Sequence, residues 1–121
     1  MAQFMMLIYV PSAGRPAPED GGASSEQWFG YTQDLQDAGV HVAGEGLEPV
    51  DTATTVRVRD GETQITDGPF AETKEMLGGF YVVDVADRDE ALRWAEKMPS
   101  IRYGSTEVRP VMVFDNEPAN A

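Results

Sequence analysis

Two uninterrupted apolar segments constrain the fold of this 121-residue chain more than any other feature. The first covers residues 4–10 and the second covers residues 80–83, and every side chain in both is apolar. A strand with one wet face alternates apolar and polar residues, whereas a strand buried on both faces is apolar throughout. The two segments are therefore predicted to be central strands of a sheet that is covered on both faces.

Two amphipathic segments predict helices. The first is capped by Ser24 or Ser25, with Gln27 three positions after Ser24, and runs to about Ala38 before Gly39, whose backbone freedom suits a helix stop. The second begins after Asp87 and ends before Pro99. The predicted buried stripes are Trp28, Tyr31 or Thr32, Leu35 and Ala38 in the first helix, and Ala91, Leu92, Ala95 and Met98 in the second.

The remaining strands complete an α+β fold. Residues 40–46 and 107–114 each predict a strand, and Asp60-Gly61 predicts a hairpin between residues 54–59 and 62–66. Without the hairpin, the order is the βαββαβ order of ferredoxin-like folds, in which both helices cover one face of the sheet. A second copy of the chain is the simplest cover for the other face, so we expect a homodimer with a ligand pocket between the two sheets.

Composition excludes several classes of function. Nine lysines and arginines against 21 aspartates and glutamates give a net charge of -12, which opposes direct binding to nucleic acid. No segment approaches the roughly 20 apolar residues of a membrane span, and residues 4–10 lack the flanks of a signal peptide. The absence of cysteine excludes disulfides and thiol chemistry. We expect a cytoplasmic protein with one domain, residues 1–115, and a frayed tail, residues 116–121.

The segment from Asp67 onward admits two interpretations. Asp67-Gly68-Pro69 predicts a tight turn, and residues 72–75 predict one helical turn that Gly78-Gly79 ends. In the structural interpretation, this rigid turn holds Phe70 in the core. In the functional interpretation, the turn carries three polar side chains at the mouth of a cleft, namely Asp67, Glu72 and Lys74.

Residues 67–75, followed by residues 77–80, resemble the signature of the DGPF proteins, a branch of the YCII-related family. The similarity continues through residues 38–40, 44–47, 53–57 and 107–111, which is most of the chain. The resemblance implies a dimeric α+β barrel of ferredoxin-like protomers, and it implies no single activity. One YCII branch removes hydrogen chloride from hydroxylated aromatic rings, and DGPF members are often encoded beside sigma factors.

A His–Asp pair has been proposed as the acid and base of YCII proteins, and the resemblance places its histidine in the first helix. This chain has Trp28 in or near that position. An indole donates a hydrogen bond but does not exchange a proton near neutral pH. The general-base role is therefore not carried over to this chain.

Other side chains are candidates for chemistry. His41 is the single histidine and the default acid–base group, although a lone histidine on a peripheral strand is more often structural. Arg109 could clamp a carboxylate or phenolate oxygen, or form a salt bridge with a neighbouring strand or subunit. We predict catalytic roles for His41 and Asp67, no metal site and no cofactor. The predicted ligand-binding residues are Tyr9, Trp28, Asp67, Glu72, Lys74 and Arg109.

Three functions follow from these residues. The first is a small-molecule-binding or regulatory protein that uses the pocket between the sheets. The second is a lyase or isomerase acting on a small hydroxylated aromatic or quinone-like compound, with Asp67 or His41 as base and Arg109 holding an oxyanion. The third, suggested only by gene neighbourhoods in the resembling family, is a regulatory partner of a sigma factor.

Overall fold

The computed structural model describes residues 1–114, so the predicted tail at residues 116–121 lies outside the described residues. The strands and helices follow the predicted ferredoxin-like βαββαβ order with an inserted hairpin, which confirms the predicted α+β fold. In chain order they are β1 (Ala2–Pro11), α1 (Ser25–Asp37), β2 (His41–Gly46), β3 (Thr54–Arg59), β4 (Glu62–Asp67), β5 (Glu75–Val85), α2 (Arg88–Glu96) and β6 (Ser105–Pro110).

Four strands form one antiparallel sheet in the order β2-β5-β1-β6, with the two apolar segments at its centre as predicted. Strands β3 and β4 form a separate two-stranded sheet, which we call the ribbon. Its turn places Asp60 at φ 53° and Gly61 at φ 78°. Positive φ at both central residues is the backbone of a type I′ hairpin turn, which matches the twist of the flanking strands.

Local signals fix both helices where the sequence predicts them. Ser24 caps α1, and its hydroxyl accepts from the Gln27 amide while the Gln27 side chain accepts from the Ser24 amide. Gly39 has φ 73° and ends α1, because glycine enters the left-handed region without a steric penalty. Asp87 caps α2 by accepting from the Glu90 amide.

The core lies between the sheet and the two helices. Alternate residues of β1 point towards the helices and are at most 8% exposed: Phe4, Met6, Ile8 and Val10. They pack with buried residues of the helices and of β5, chiefly Tyr31, Leu35, Ala91, Ala95, Val83 and Val85. Burying one large apolar side chain contributes about 1.5–3 kcal/mol, so this face supplies most of the apolar stabilisation within a protomer.

The intervening residues of the central strands point to the opposite side of the sheet, which we call the open face. It is formed by Met5, Leu7 and Tyr9 of β1 and by Phe80 and Val82 of β5. These side chains are only partly buried in a single protomer, because both helices pack on the other side. The helices of the protomer thus bury one face of the central strands and leave the open face partly exposed.

The predicted helical turn at residues 72–75 is wrong. Residues 68–74 are irregular, and β5 begins at Glu75, so Gly78 and Gly79 lie inside a strand. Pairing decides the conformation here: Glu75 lies opposite Pro11, and the Ser12 amide donates to the Lys74 carbonyl at 2.8 Å. Hydrogen bonds to β1 override the local helical preference of these residues.

Three smaller expectations are also corrected. Phe70 is 75% exposed rather than in the core, and the Arg57 guanidinium lies 5.2 Å from its ring centroid. Ala38 is exposed because it is the C-cap residue of α1. The last strand covers Ser105–Pro110 rather than residues 107–114: its ladder with β1 ends at the pair of Phe4 and Pro110, and beyond it the Val111 amide donates to the Gln3 carbonyl at 2.9 Å.

Candidate functional site

A cavity of about 260 Å³ opens between α1 and the β2–β5 edge of the sheet. We call it the α1 cleft and define it by Arg15, Trp28, Thr32, His41, Gly78 and Tyr81, which lie along its walls. Five structural segments contribute: β1, the loop before α1, α1 itself, β2 and β5. Two predicted site residues, Trp28 and His41, are brought together here, although they lie on different elements.

Aromatic rings form one wall of the cleft. The Trp28 ring stacks on Tyr81 with centroids 6.4 Å apart and an interplanar angle of 22°. His41 meets the same tyrosine ring edge-on at 6.0 Å. Thr32 and Tyr81 share a hydrogen bond of 2.6 Å between their hydroxyl groups. The wall therefore offers ring surface together with two hydroxyls that are already oriented by each other.

A fully buried tyrosine supports this wall from behind. Tyr31 is 5% exposed, lies edge-on to Tyr81 at 5.5 Å, and donates from its hydroxyl to the Trp94 carbonyl at 2.7 Å. Burial, and to a smaller extent the neighbouring Tyr81, raise the pKa of Tyr31 well above its usual range. Its phenol therefore stays neutral and serves to hold Tyr81 in place.

Glycines form the floor, and at three of them an added Cβ would come within 3 Å of another group, which is the flexible end of Arg15 in the case of Gly78. A Cβ at Gly44 would lie 2.7 Å from the Tyr81 ring, and a Cβ at Gly79 would lie 2.8 Å from the Glu45 carbonyl oxygen. A Cβ at Gly78 would lie 2.8 Å from the Arg15 guanidinium. Bare backbone at these positions permits the close approaches that shape the cleft.

Arg15 reaches the cleft from the loop between β1 and α1. Its Nη2 donates to the Gly78 carbonyl oxygen at 2.6 Å, and the Leu47 amide donates to the same oxygen at 2.9 Å. Gly78 is the extra residue of a bulge, since Ile8 pairs with Gly79 while Tyr9 pairs with Leu77. Bulges of this kind often re-aim backbone groups beside binding sites.

The other predicted site residues lie elsewhere. Tyr9 and Arg109 belong to the open face, where the Tyr9 hydroxyl donates to Glu107 Oε1 at 3.2 Å. Desolvation, followed by this carboxylate, raises the pKa of Tyr9. Asp67 and Glu72 line a depression at the end of the ribbon. Lys74 follows them in the chain, and its carbonyl oxygen accepts a hydrogen bond from the Ser12 amide. The predicted set is thus divided among three places on the protomer.

Sequence reasoning missed Arg15, although it is the cation of the cleft. It stands in a loop with three prolines, and nothing in its neighbours indicates that it meets a carbonyl 63 positions further along the chain. The unusual glycine pair in β5 was the available signal, because strand glycines mark places where another group approaches the backbone. That signal identifies the contacted backbone but not the group that contacts it.

In residues 1–114, no group of three or more histidine, cysteine, aspartate or glutamate side chains could hold a metal ion. Neither helix in that part of the chain is long and apolar enough to cross a membrane.

Comparison with known proteins gives a family. A 70-residue segment is 49% identical to an uncharacterized protein of Rhizobium meliloti (strain 1021), and it covers 56% of each chain. The match thus spans about half the length of that curated relative. A model of the YCII-related domain, a family that is commonly dimeric, matches residues 2–115. Because this match includes every strand and helix described above, the chain belongs to the YCII-related family.

Proposed function

We propose that the protein binds a small molecule in the α1 cleft and acts as a homodimer. The observation that carries this proposal is the convergence of an aromatic wall, a guanidinium and a hydroxyl pair over a floor of bare backbone. Apolar pockets with a few oriented polar groups are the usual form of small-molecule sites. The cleft lies on the helix side of the sheet, whereas the sequence placed the pocket between two sheets.

The homodimer is supported by the open face. Met5, Leu7, Phe80 and Val82 form a contiguous apolar surface on the two central strands, and each pairs directly with another apolar residue across the β1–β5 ladder. A self-complementary sheet face fits a two-fold axis, in which the same patch of each protomer meets its copy. Tyr9 and Arg109 border this surface, so a second pocket between the sheets remains a prediction.

A compound screen with a site-specific reporter tests the binding function. The chain has two tryptophans, so Trp94→Phe leaves Trp28 as the sole indole. Ligand binding raises the midpoint of thermal unfolding, and binding in the cleft also changes Trp28 emission. A compound that stabilises the protein without changing Trp28 emission binds elsewhere and contradicts the cleft as the site. A chemically diverse library without any stabilising compound contradicts the binding function.

His41 supports a second candidate, a lyase or isomerase acting on a hydroxylated aromatic compound. Its imidazole lines the same cleft, within reach of a ligand that lies against Tyr81. Turnover of such a compound should be lost in His41→Ala and retained in Asp67→Asn, because Asp67 lies outside the cleft. Equal turnover in wild type and His41→Ala would remove this mechanism. Association with a sigma factor stays a prediction that rests on family resemblance alone.

A further inference from the structure

We infer that the ligand of the α1 cleft is a small planar monoanion, and that Arg15 holds its anionic group. This inference rests on the proposed binding function and specifies the ligand class for the same site. It depends on three features of the described residues: the charge of the lining, the position of the Arg15 guanidinium, and the shape of the walls.

The lining is cationic in a strongly acidic protein. The chain has 21 acidic and nine basic residues, yet among the described residues that line the cleft the formally charged ones are Arg15 and Glu45. Glu45 pairs with Phe80 of the open face, so its side chain points to the other side of the sheet. Its neighbour Gly44 pairs with Tyr81 on the cleft side, and successive residues of a strand alternate between faces. A cation beside an apolar wall favours an anionic ligand, because a carboxylate accepts charge-assisted hydrogen bonds from it.

The Arg15 guanidinium is positioned to bind such a group. The Gly78 carbonyl fixes one of its nitrogens at 2.6 Å, and a guanidinium has five N–H donors, so donors remain for a ligand. Carboxylates accept two parallel bonds from such a fork, which gives both affinity and orientation. The contact also explains a glycine inside β5, because a Cβ at Gly78 would meet Nη2 at 2.8 Å and Val10 Cγ2 at 3.0 Å.

The walls of the α1 cleft favour a ligand whose uncharged part is planar. The partly exposed Trp28 ring is held flat by stacking on the buried Tyr81 ring, with an interplanar angle of 22°, and the glycine floor carries no side chains that would project into the space. The shared hydrogen bond of Thr32 and Tyr81 supplies a polar contact on the aromatic wall. A cavity of about 260 Å³ suits a molecule of one or two rings.

A matched pair of probes isolates the charge. trans-Cinnamate and trans-cinnamamide have the same planar frame, and only the first carries a carboxylate. We expect calorimetric titration at pH 7 and low salt to give at least about ten-fold tighter binding of the acid, since charge-assisted bonds are the stronger ones. Arg15→Gln should weaken the acid to the level of the amide and change the amide less than about two-fold. Arg102→Gln, a substitution of an exposed arginine outside the cleft, should change neither.

Three results would overturn the inference. They are equal affinities of the two probes for the wild type, a preference for the acid that survives in Arg15→Gln, and no binding of either probe. None of them decides the proposed function, because the wider compound screen reports binding of any small molecule through Trp28. Far-ultraviolet circular dichroism of Arg15→Gln must match the wild type, and we expect this because the side chain lies at the surface.

Discussion

The two faces of the central sheet are built from the same strands but have different environments. On β1, the residues towards the helices are at most 8% exposed, whereas Met5, Leu7 and Tyr9 between them remain partly exposed. Both sets are equally apolar in sequence, so composition does not explain the difference. The helices cover one face, and the described elements of the protomer leave the other face partly exposed. An apolar strand therefore indicates that both of its faces are suited to burial, but it does not indicate which element or molecule buries each face.

The largest loss of stability is expected from a substitution on the helix-covered face of the sheet. Met6 has 0% exposure, and Met6→Ala should lower the free energy of unfolding by about 2–5 kcal/mol, because it removes a buried side chain and leaves a cavity. Urea denaturation measures this loss, and sedimentation should show an unchanged association state. Met5→Ala is the matched control one position away, and its effect should depend on protein concentration. A loss below about 1 kcal/mol for Met6→Ala would show that the two faces are equivalent.

A substitution on the open face should weaken the association of the two protomers more than the folding of each one. Leu7→Asp places a charge at the centre of the proposed interface, and we expect the dimer dissociation constant to rise at least about 30-fold, or about 2 kcal/mol. Sedimentation velocity over a dilution series measures the constant. Phe29→Asp is the control, since Phe29 is 74% exposed on α1 and lies on the other side of the sheet. A wild-type protein that is monomeric at micromolar concentration would contradict the dimer.

The pH dependence of stability probes the core behind the cleft. Tyr31 has its pKa raised by burial, so the folded state holds the phenol proton more tightly than the unfolded state. Its stabilising contribution is complete below the unfolded pKa of about 10 and declines as pH rises above that value. Tyr31→Phe should cost about 1 kcal/mol at pH 7 through loss of the bond to the Trp94 carbonyl, and it should reduce the alkaline decline. Urea denaturation between pH 8 and 11 tests this, with Tyr103→Phe as the control, since the Tyr103 hydroxyl accepts from the Ala23 amide away from the cleft.

Much of the fold was predictable because its signals are local. The Ser24–Gln27 capping box, the Asp60-Gly61 turn and the two apolar strands each depend on neighbouring residues, and the structure confirms all three. The errors arise where distant pairing decides. Residues 72–75 follow the register of β1, and the last strand ends where its pairing with β1 ends, at Phe4 and Pro110.

The candidate site was less predictable for the same physical reason. Trp28 and His41 could be singled out by residue type, but their meeting depends on how α1 packs on β2 and β5. The bond between Arg15 and Gly78 joins residues 63 positions apart, across a bulge that no local pattern specifies. Asp67 and Glu72 were also candidates by residue type, yet they line a depression at the end of the ribbon, outside the α1 cleft.

The smallest effect is expected on the ribbon, which tests whether exposed apolar residues always mark an interface. Val56 and Ile65 face each other across β3 and β4 and are 61% and 68% exposed, more than any residue of the open face. Ile65→Ser removes apolar surface that is mostly wet already, so unfolding should change by less than about 0.5 kcal/mol and the dimer constant should not change. Thermal unfolding and sedimentation of Ile65→Ser beside Leu7→Asp measure both quantities. If Ile65→Ser weakened the dimer as strongly, the ribbon would belong to the same interface as the sheet, and the cover supplied by the second copy would extend beyond the central strands.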